Sequence, residues 1–231
     1  MKQKKIFIIY ASTLSIIVSL FGGFYIYKTI VESREVGKTT FKEDDYYSIR
    51  NNATQLQKSL YKDLIKSVEE DPRNEKEMYE LLAKNYIADF YTWTNKFRRN
   101  DVGGVQFVLE DIRANVFHQA QQKTYNDLYY YLENDGLEDT LEVSDIKTKS
   151  SKAIEFFIHN KDGEDELIDE VEDTVIKGDY VKAYEVKLTW DYEESSFRTS
   201  DYDQEATIIM MLNEDNIPMI IEVSHDEELD E

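Results

Sequence analysis

The stretch Ile6–Tyr27 constrains this chain most, because its 22 consecutive residues include no charged side chain. As an α-helix it would extend about 33 Å, enough to cross the hydrocarbon core of a bilayer, which is about 30 Å thick. Three lysines lie among the first five residues, and Tyr25 and Lys28 lie where an aromatic belt and a snorkelling lysine are expected. The sequence therefore predicts a cytoplasmic tail at 1–5 and a transmembrane helix at 6–27.

A cleaved signal peptide is the alternative, since a basic start and an apolar core are common to both kinds of segment. Cleavage requires small residues at the −3 and −1 positions, and the end of the apolar stretch, Ser-Leu-Phe-Gly-Gly-Phe-Tyr, has no Ala-x-Ala pattern. We therefore expect the anchor to be retained, and the absence of cysteine excludes a lipoprotein. Positive charge is densest before the span, which predicts a cytoplasmic amino terminus and an extracellular remainder in the cell membrane.

Small residues recur every four positions along the predicted membrane helix, at Ala11, Ser15, Ser19 and Gly23. A helix places all four near one face, where small side chains let a second helix approach closely. This pattern predicts homo-oligomerisation or packing against a partner's helix. The alternative is that small residues are simply common in membrane helices.

The part of the chain after the anchor is strongly acidic. Three of the 27 basic residues and none of the 48 acidic residues precede the span, so 48 acidic residues remain against 24 basic ones, a net charge of −24. This charge excludes a nucleic-acid surface, which needs a basic patch to neutralise phosphates. About 200 residues are enough for one sizeable core. The last six residues, 226–231, are predicted to form a disordered acidic tail.

Residues 28–73 are predicted to form a juxtamembrane spacer and an amphipathic helix. The spacer extends to about Asp45, because it is polar and has no sustained apolar period. From Ile49 to Val68 apolar residues recur every three or four positions, and Asp71-Pro72 ends this helix. Such a narrow apolar stripe indicates either a coiled-coil stalk or a helix lying on the main domain.

The extracellular domain, 74–225, begins with helices. Asn74 and Glu77 form a capping-box pattern, which opens a helix that we expect to reach Lys96. Gly103-Gly104 breaks the helical pattern, and two further helical runs are predicted at 105–117 and 119–133.

After Asn134-Asp135-Gly136 the apolar period changes from about 3.6 to 2, the period of β-strands. Helices followed by an antiparallel meander predict an α+β fold with helices packed on one face of a curved antiparallel sheet. The predicted strands are 141–146, 153–158, 180–192, 205–212 and 217–223, with a solvated acidic loop at 161–173 and a tight hairpin connection at 213–216.

No constellation of residues in the sequence predicts catalysis, a cofactor or a metal. His118, His159 and His225 are scattered, and none belongs to a metal-ligand pattern. Gly103-Gly104 lies between helices rather than after a strand, so it indicates a helix break and not a phosphate site. The acidic run at 162–166 lacks the ligand spacing of a calcium loop. We therefore predict a protein that is not an enzyme, with no catalytic, cofactor-binding or metal-binding residues.

Tyrosine is unusually frequent, with 17 residues in the chain. Tyrosine is enriched where proteins meet, because it combines apolar area with a polar tip at a low entropic cost. Half-buried strands and helix faces also favour tyrosine, and that is the alternative explanation. The candidate partner contacts are Tyr86, Trp93, Tyr129 and Tyr130.

The order of elements resembles that of a known family, the bitopic assembly-factor subunits of type IV secretion and conjugation machines. The segment Asn-Tyr-Ile-Ala-Asp-Phe-Tyr-Thr-Trp-Thr-Asn-Lys at 85–96, followed by Asp-Val-Gly-Gly at 101–104, is similar to segments of mobile-element proteins from Gram-positive bacteria. Gram-negative members carry an Asn-Pro-x-Gly turn in the strand region, where this chain has Asn216-Ile217-Pro218-Met219. No functional residue is therefore carried over at that turn.

The resemblance implies a nuclear-transport-factor-like, or cystatin-like, exterior domain and a role as a membrane-anchored scaffold that recruits other channel subunits. Two alternatives stay open. Folds of this type often enclose a conical pocket, which could bind a ligand or act as an enzyme if it held an inward-facing carboxylate or His118 among tyrosines. The chain could also be a surface protein that regulates secretion or cell-wall assembly.

Overall fold

A computed structural model describes residues 41–43, 45–98, 100–134, 140–159, 163, 165–169, 174–196 and 198–225, all within one compact unit, Thr39–Glu231. The predicted membrane helix at 6–27, with Ala11, Ser15, Ser19 and Gly23, lies outside the described residues, as does the acidic tail at 226–231. None of the helices in the described ranges has the length and apolar character needed to span a membrane.

The domain has the predicted α+β architecture, with helices packed against an antiparallel sheet. The strands of the sheet lie in the order β3-β5-β6-β7, and β4 also pairs with β5. A separate two-stranded ribbon, β1 with β2, precedes the helices. The helices are α1 (Gln55–Glu69), α2 (Glu75–Phe90), α3 (Glu110–Gln122) and α4 (Thr124–Asn134), and the strands are β1 (Phe41–Glu43), β2 (Ser48–Arg50), β3 (Val143–His159), β4 (Asp165–Asp169), β5 (Thr174–Tyr192), β6 (Glu205–Leu212) and β7 (Pro218–Ser224).

The first helix, α1, lies on the main domain, which decides between the two interpretations of its apolar stripe. Leu64 and Val68 are 0% and 1% exposed and belong to the common core with α2. The helix begins later than its stripe predicts, because Thr54 and Gln57 form a complete capping box. The Gln57 N–H donates to Thr54 Oγ1 (3.3 Å) and the Thr54 N–H donates to Gln57 Oε1 (2.8 Å).

The second helix, α2, begins where the sequence predicts, with Asn74 Oδ1 accepting from the Glu77 N–H at 3.4 Å. It ends at Phe90 and not at Lys96. The reason is a tertiary contact, since the Trp93 N–H donates to the Leu141 carbonyl (2.7 Å) and the chain can no longer continue its helical hydrogen bonds. The apolar periodicity of the sequence does not indicate this hydrogen bond between distant residues.

The break after α2 is confirmed at Gly103-Gly104. Gly104 has φ +75°, and a Cβ on Gly103 would lie 2.0 Å from the Asp89 carbonyl oxygen. Both positions therefore require glycine, one for its backbone angle and one for the close approach of α2. The chain then forms a 3₁₀ turn, Val105–Phe107, before α3 and α4.

The strand predictions hold where the chain alternates strongly and fail where it is polar. β6 has the predicted bounds, and the 213–216 connection is a tight turn in which Asn216 has φ 58°. The two predicted strands at 141–146 and 153–158 form one strand, β3, because β5 pairs with it along nearly its whole length. The prediction of a solvated loop at 161–173 is wrong, because β4 lies within it and pairs with β5.

Candidate functional site

A cluster of buried charges joins the end of β2 to α2 and to the loop that follows α2. Arg50 donates from Nε to Asp89 Oδ1 (3.0 Å) and from Nη2 to Asp101 Oδ1 (3.1 Å), and Lys96 Nζ lies 3.0 Å from Asp89 Oδ1. The side chains of Arg50 and Lys96 are 2% and 0% exposed, and the two carboxylates are 13% and 8% exposed. Two cations and two anions make the cluster neutral.

The donors of Lys96 are all used inside this cluster. Its Nζ donates to the Asp89 carbonyl (2.8 Å), to Asp89 Oδ1 and to Asn95 Oδ1 (3.1 Å). The second oxygen of Asp89 accepts from the Gly104 N–H at 2.8 Å. An ammonium group has three donors, so Lys96 has none left for a ligand.

The electrostatics of the cluster keep Asp89 ionised. Burial alone would raise the pKa of its carboxyl, but the charges of Lys96 and Arg50 and the Gly104 hydrogen bond hold that pKa well below its usual range. Burial lowers the pKa of Lys96 to about 8, against the opposing attraction of Asp89. Burial also acts to lower the pKa of Arg50, but Asp89 and Asp101 outweigh it and raise that pKa.

Neighbouring polar groups extend the same network. The Tyr125 hydroxyl donates to the Phe90 carbonyl (2.7 Å) and accepts from the Gly103 N–H (2.9 Å). Asn95 Nδ2 donates to Gln57 Oε1 at 2.8 Å. The segments at 85–96 and 101–104, on which the resemblance depends, therefore supply Asp89, Lys96 and most of the other groups of this cluster. Their pattern reflects a structural requirement of the fold.

The predicted partner contacts Tyr86 and Trp93 lie in the core, where they are 2% and 0% exposed. Their aromatic side chains pack inside the domain, so the interpretation as surface contacts is replaced by a core role. Tyr129 and Tyr130 lie on α4, and their side chains are outside the part of the chain that the structure describes.

The three histidines belong to different segments of the domain. His118 is exposed on α3 beside Phe117, and His159 ends β3. His225 follows β7, and its Nε2 lies 3.1 Å from the Tyr91 hydroxyl while Nδ1 lies 3.1 Å from the Glu205 carbonyl. Within the described ranges, no group of three or more His, Cys, Asp or Glu residues is arranged to hold a metal ion.

A cavity of about 170 Å³ lies between α2, α3 and β7. Aliphatic side chains from α3 and β7 form much of its wall, and it also includes the aromatic side chains of α2. The residues around it are Tyr86, Phe90, Tyr91, Val108, Ile112, Val116, Gln119, Ala120, Lys123, Thr124, Ile220, Ile221, Glu222, Val223 and His225.

Tyr86 and Tyr91 bring two phenol groups to this cavity. Burial raises the pKa of Tyr86 and of Tyr91, so both are neutral hydroxyls. Tyr91 is hydrogen-bonded to His225. Sequence reasoning missed this site because its wall combines a helix, a strand and a residue, His225, that directly precedes the acidic tail.

A second feature is the outer end of the sheet, where β5 pairs first with β4 and then with β3. We call residues 154–159 and 174–183 there the hairpin extension. β6 pairs with β5 only from Tyr184 to Thr189, so it does not reach the hairpin extension. There Phe157 faces Tyr180 across the strands, with ring centroids 5.3 Å apart. Tyr180 is 52% exposed, and Val175, on the opposite face, is 60% exposed.

Comparison of the chain with protein-family models, with curated proteins and with solved structures finds no match.

Proposed function

We propose that this chain is a non-enzymatic, membrane-anchored scaffold subunit of a conjugative transfer channel, and that its exterior domain recruits partner proteins through the hairpin extension. The apolar stretch at 6–27 supports the anchor, and the order of helices and strands supports the resemblance to secretion-channel assembly factors. The channel context depends on that resemblance, as does the finer fold assignment, a curved nuclear-transport-factor-like sheet. The partner-binding role depends on the hairpin extension.

The buried charge cluster supports a role without catalysis. Its four charges cancel, and Lys96 and Asp89 bond to one another, to the side chains of Asn95 and Arg50, and to backbone groups. A general acid or base needs an open position beside a substrate, whereas the donors of Lys96 and both oxygens of Asp89 are already hydrogen-bonded within the domain. The cluster is instead the kind of network that fixes β2, α2 and the following loop relative to one another.

The observation that carries the proposal is the exposed Tyr180 and its partly buried neighbour Phe157 on the hairpin extension. Tyr184, four residues further along the same face of β5, stacks on Tyr79 of α2 with ring centroids 4.9 Å apart. Tyr180 continues this face beyond α2, with half of its surface exposed and with Phe157 as an aromatic neighbour. Exposed tyrosine with adjacent apolar area is typical of the centre of a protein interface.

The test is site-specific crosslinking in intact cells. A photo-crosslinking amino acid at the position of Tyr180 should capture channel subunits, and the same amino acid at Lys58, which is exposed on α1, should not. Protease added outside the cells should remove the domain, because the proposal places it beyond the membrane.

Three results would contradict the proposal. The first is a domain that is protected from external protease, and the second is identical crosslinks from Tyr180 and Lys58. The third is capture of cell-wall enzymes in place of channel subunits, which would favour the surface regulator that the sequence also allows.

A further inference from the structure

The cavity between α2, α3 and β7 has the size of a small aromatic molecule. Its volume is about 170 Å³, and an engineered apolar cavity of about 150 Å³ in another protein binds benzene. Phe90, Val108, Ile112, Val116 and Ile220 supply apolar surface around it. The cavity opens to solvent, so a small molecule can enter it without a rearrangement of the fold.

The hydroxyl of Tyr86 gives this cavity a specific polar feature. Tyr86 is 2% exposed and lines the cavity, and its hydroxyl makes no hydrogen bond with any residue in the described ranges. Burial raises the pKa of Tyr86, so the group is a neutral hydroxyl. Tyr125, in contrast, uses its buried hydroxyl in two hydrogen bonds. The Tyr86 hydroxyl is therefore available to a hydrogen-bonding group bound in the cavity.

The other polar groups around the cavity favour a neutral ligand. Tyr91 and His225 are hydrogen-bonded to one another. Lys123 and Glu222 bring one charge of each sign, so a charged ligand would meet repulsion as well as attraction. The strong negative charge of the chain further disfavours a carboxylate.

We propose that this cavity binds a neutral aromatic ring that carries one hydrogen-bonding group, the chemistry of phenol and indole. The ring occupies the apolar space between α3 and β7, and its polar group exchanges a hydrogen bond with the Tyr86 hydroxyl. The ring belongs to a free small molecule, since Tyr86 lies in the core of the domain.

The test measures binding of phenol, indole and toluene to the full chain in detergent, by the rise in its unfolding temperature. Tyr86→Phe keeps the ring and removes the hydroxyl, so it should weaken phenol about three- to tenfold, the usual value of one neutral hydrogen bond, and leave toluene unchanged. Tyr79→Phe is the matched control, because Tyr79 is also buried on α2 but lies outside the cavity. Tyr79→Phe should leave the affinities for phenol and for toluene unchanged.

Filling the cavity should abolish binding of all three probes. Ala120 is 5% exposed and lines the cavity, so Ala120→Leu adds side-chain volume there, and Val116→Phe is the second variant if the first does not fold. Comparison at one detergent concentration cancels the partition of the probes into micelles. The proposal is overturned if no probe raises the unfolding temperature, if Tyr86→Phe binds phenol as tightly as the natural chain, or if the filled variants retain binding.

The source of the ring is identified separately, by mass spectrometry of small molecules extracted from the purified chain. An aromatic compound that is present in the natural chain and absent from Ala120→Leu identifies a free ligand. A natural chain that yields no aromatic compound would contradict a free ligand. Crosslinking from Tyr180 does not involve the cavity, so failure of this inference and failure of the proposed scaffold role can be told apart.

Discussion

At the scale of single residues, Asp89 holds the most consequential position in the domain. It accepts hydrogen bonds from Arg50, Lys96 and the Gly104 N–H, and so it links three separate parts of the chain. A carboxylate at this place costs desolvation, and its two cationic partners offset that cost. Removing the carboxylate would leave Arg50 and Lys96 buried with Asp101 as their single counter-charge.

We expect Asp89→Asn to lower the free energy of unfolding by about 3–5 kcal/mol, the usual cost of removing one partner from a buried ion pair. Asparagine keeps the size of the side chain and an acceptor for Gly104. The measurement is urea unfolding, followed by the fluorescence of the two tryptophans, Trp93 and Trp190, which are both buried. The control is Asp145→Asn, whose carboxylate is 58% exposed beside Lys147 and which should change stability by less than about 1 kcal/mol.

The pH dependence of stability checks the same assignment. The pKa of Asp89 lies well below its usual range in the folded chain, so below pH 4 the unfolded chain takes up a proton that the folded chain does not. The contribution of Asp89 to stability is therefore full at neutral pH and falls as the pH falls from about 5. The natural chain should lose stability more steeply than Asp89→Asn in this range, and equal slopes would contradict a structural carboxylate at this position.

At the scale of secondary structure, the junction between α2 and the 3₁₀ turn depends on two glycines. Gly104 has φ +75°, and a Cβ there would lie 2.8 Å from the Tyr86 ring. The chain can pass so close to α2 because no side chain intervenes. This junction also delivers the Gly104 N–H to Asp89, so local backbone geometry and the charge cluster support one another.

We therefore expect Gly104→Ala to destabilise the domain by about 1–3 kcal/mol, since alanine is strained at this backbone angle and contacts the Tyr86 ring. Asn216→Gly is the reverse substitution. Asn216 also has a positive φ, 58°, in the β6–β7 turn. Glycine removes the strain there, so that variant should change stability by less than about 1 kcal/mol. Urea unfolding of both variants is the measurement, and equal losses would refute the conformational argument.

Helices and strands were predictable where the sequence itself marks them, by an apolar pattern or by a capping or turn residue. β6 was predicted to the residue because its apolar run is bounded by turn residues, and the start of α2 was marked by Asn74. The end of α2 and the length of β3 were not predictable, since each depends on pairing with distant residues, Leu141 in the first case. The polar β4 forms a strand because β5 supplies its hydrogen bonds, and its own composition does not indicate one.

At the scale of the whole molecule, the candidate sites could not be predicted from the sequence, because they too depend on contacts between distant residues. The charge cluster unites residues 50, 89, 96 and 101, and nothing in their spacing shows that Arg50 faces Asp89. Burial of Tyr86 and Trp93 likewise depends on how the helices cover the sheet. The net charge, in contrast, follows from composition alone, and it has a physical consequence for the folded domain.

We expect added salt to stabilise the domain, because residues 28–231 carry a net charge of −24 and repel one another when the chain folds compactly. Raising NaCl from about 0.01 M to about 0.15 M shortens the Debye length from about 30 Å to about 8 Å. This change screens the surface repulsion and leaves the buried cluster nearly unaffected. The unfolding temperature should rise by about 2–4 °C, corresponding to about 1 kcal/mol for a domain of this size.

The control is a double variant, Glu193→Gln with Glu194→Gln, which removes two exposed negative charges after β5. It should be more stable than the natural chain at low salt and should gain less from added salt, because less repulsion remains to be screened. A natural chain that loses stability with salt would show that attractive surface pairs, such as that between Lys147 and Asp191, outweigh the net charge. If the double variant gained as much stability from salt as the natural chain, the repulsion that salt screens would not involve Glu193 and Glu194.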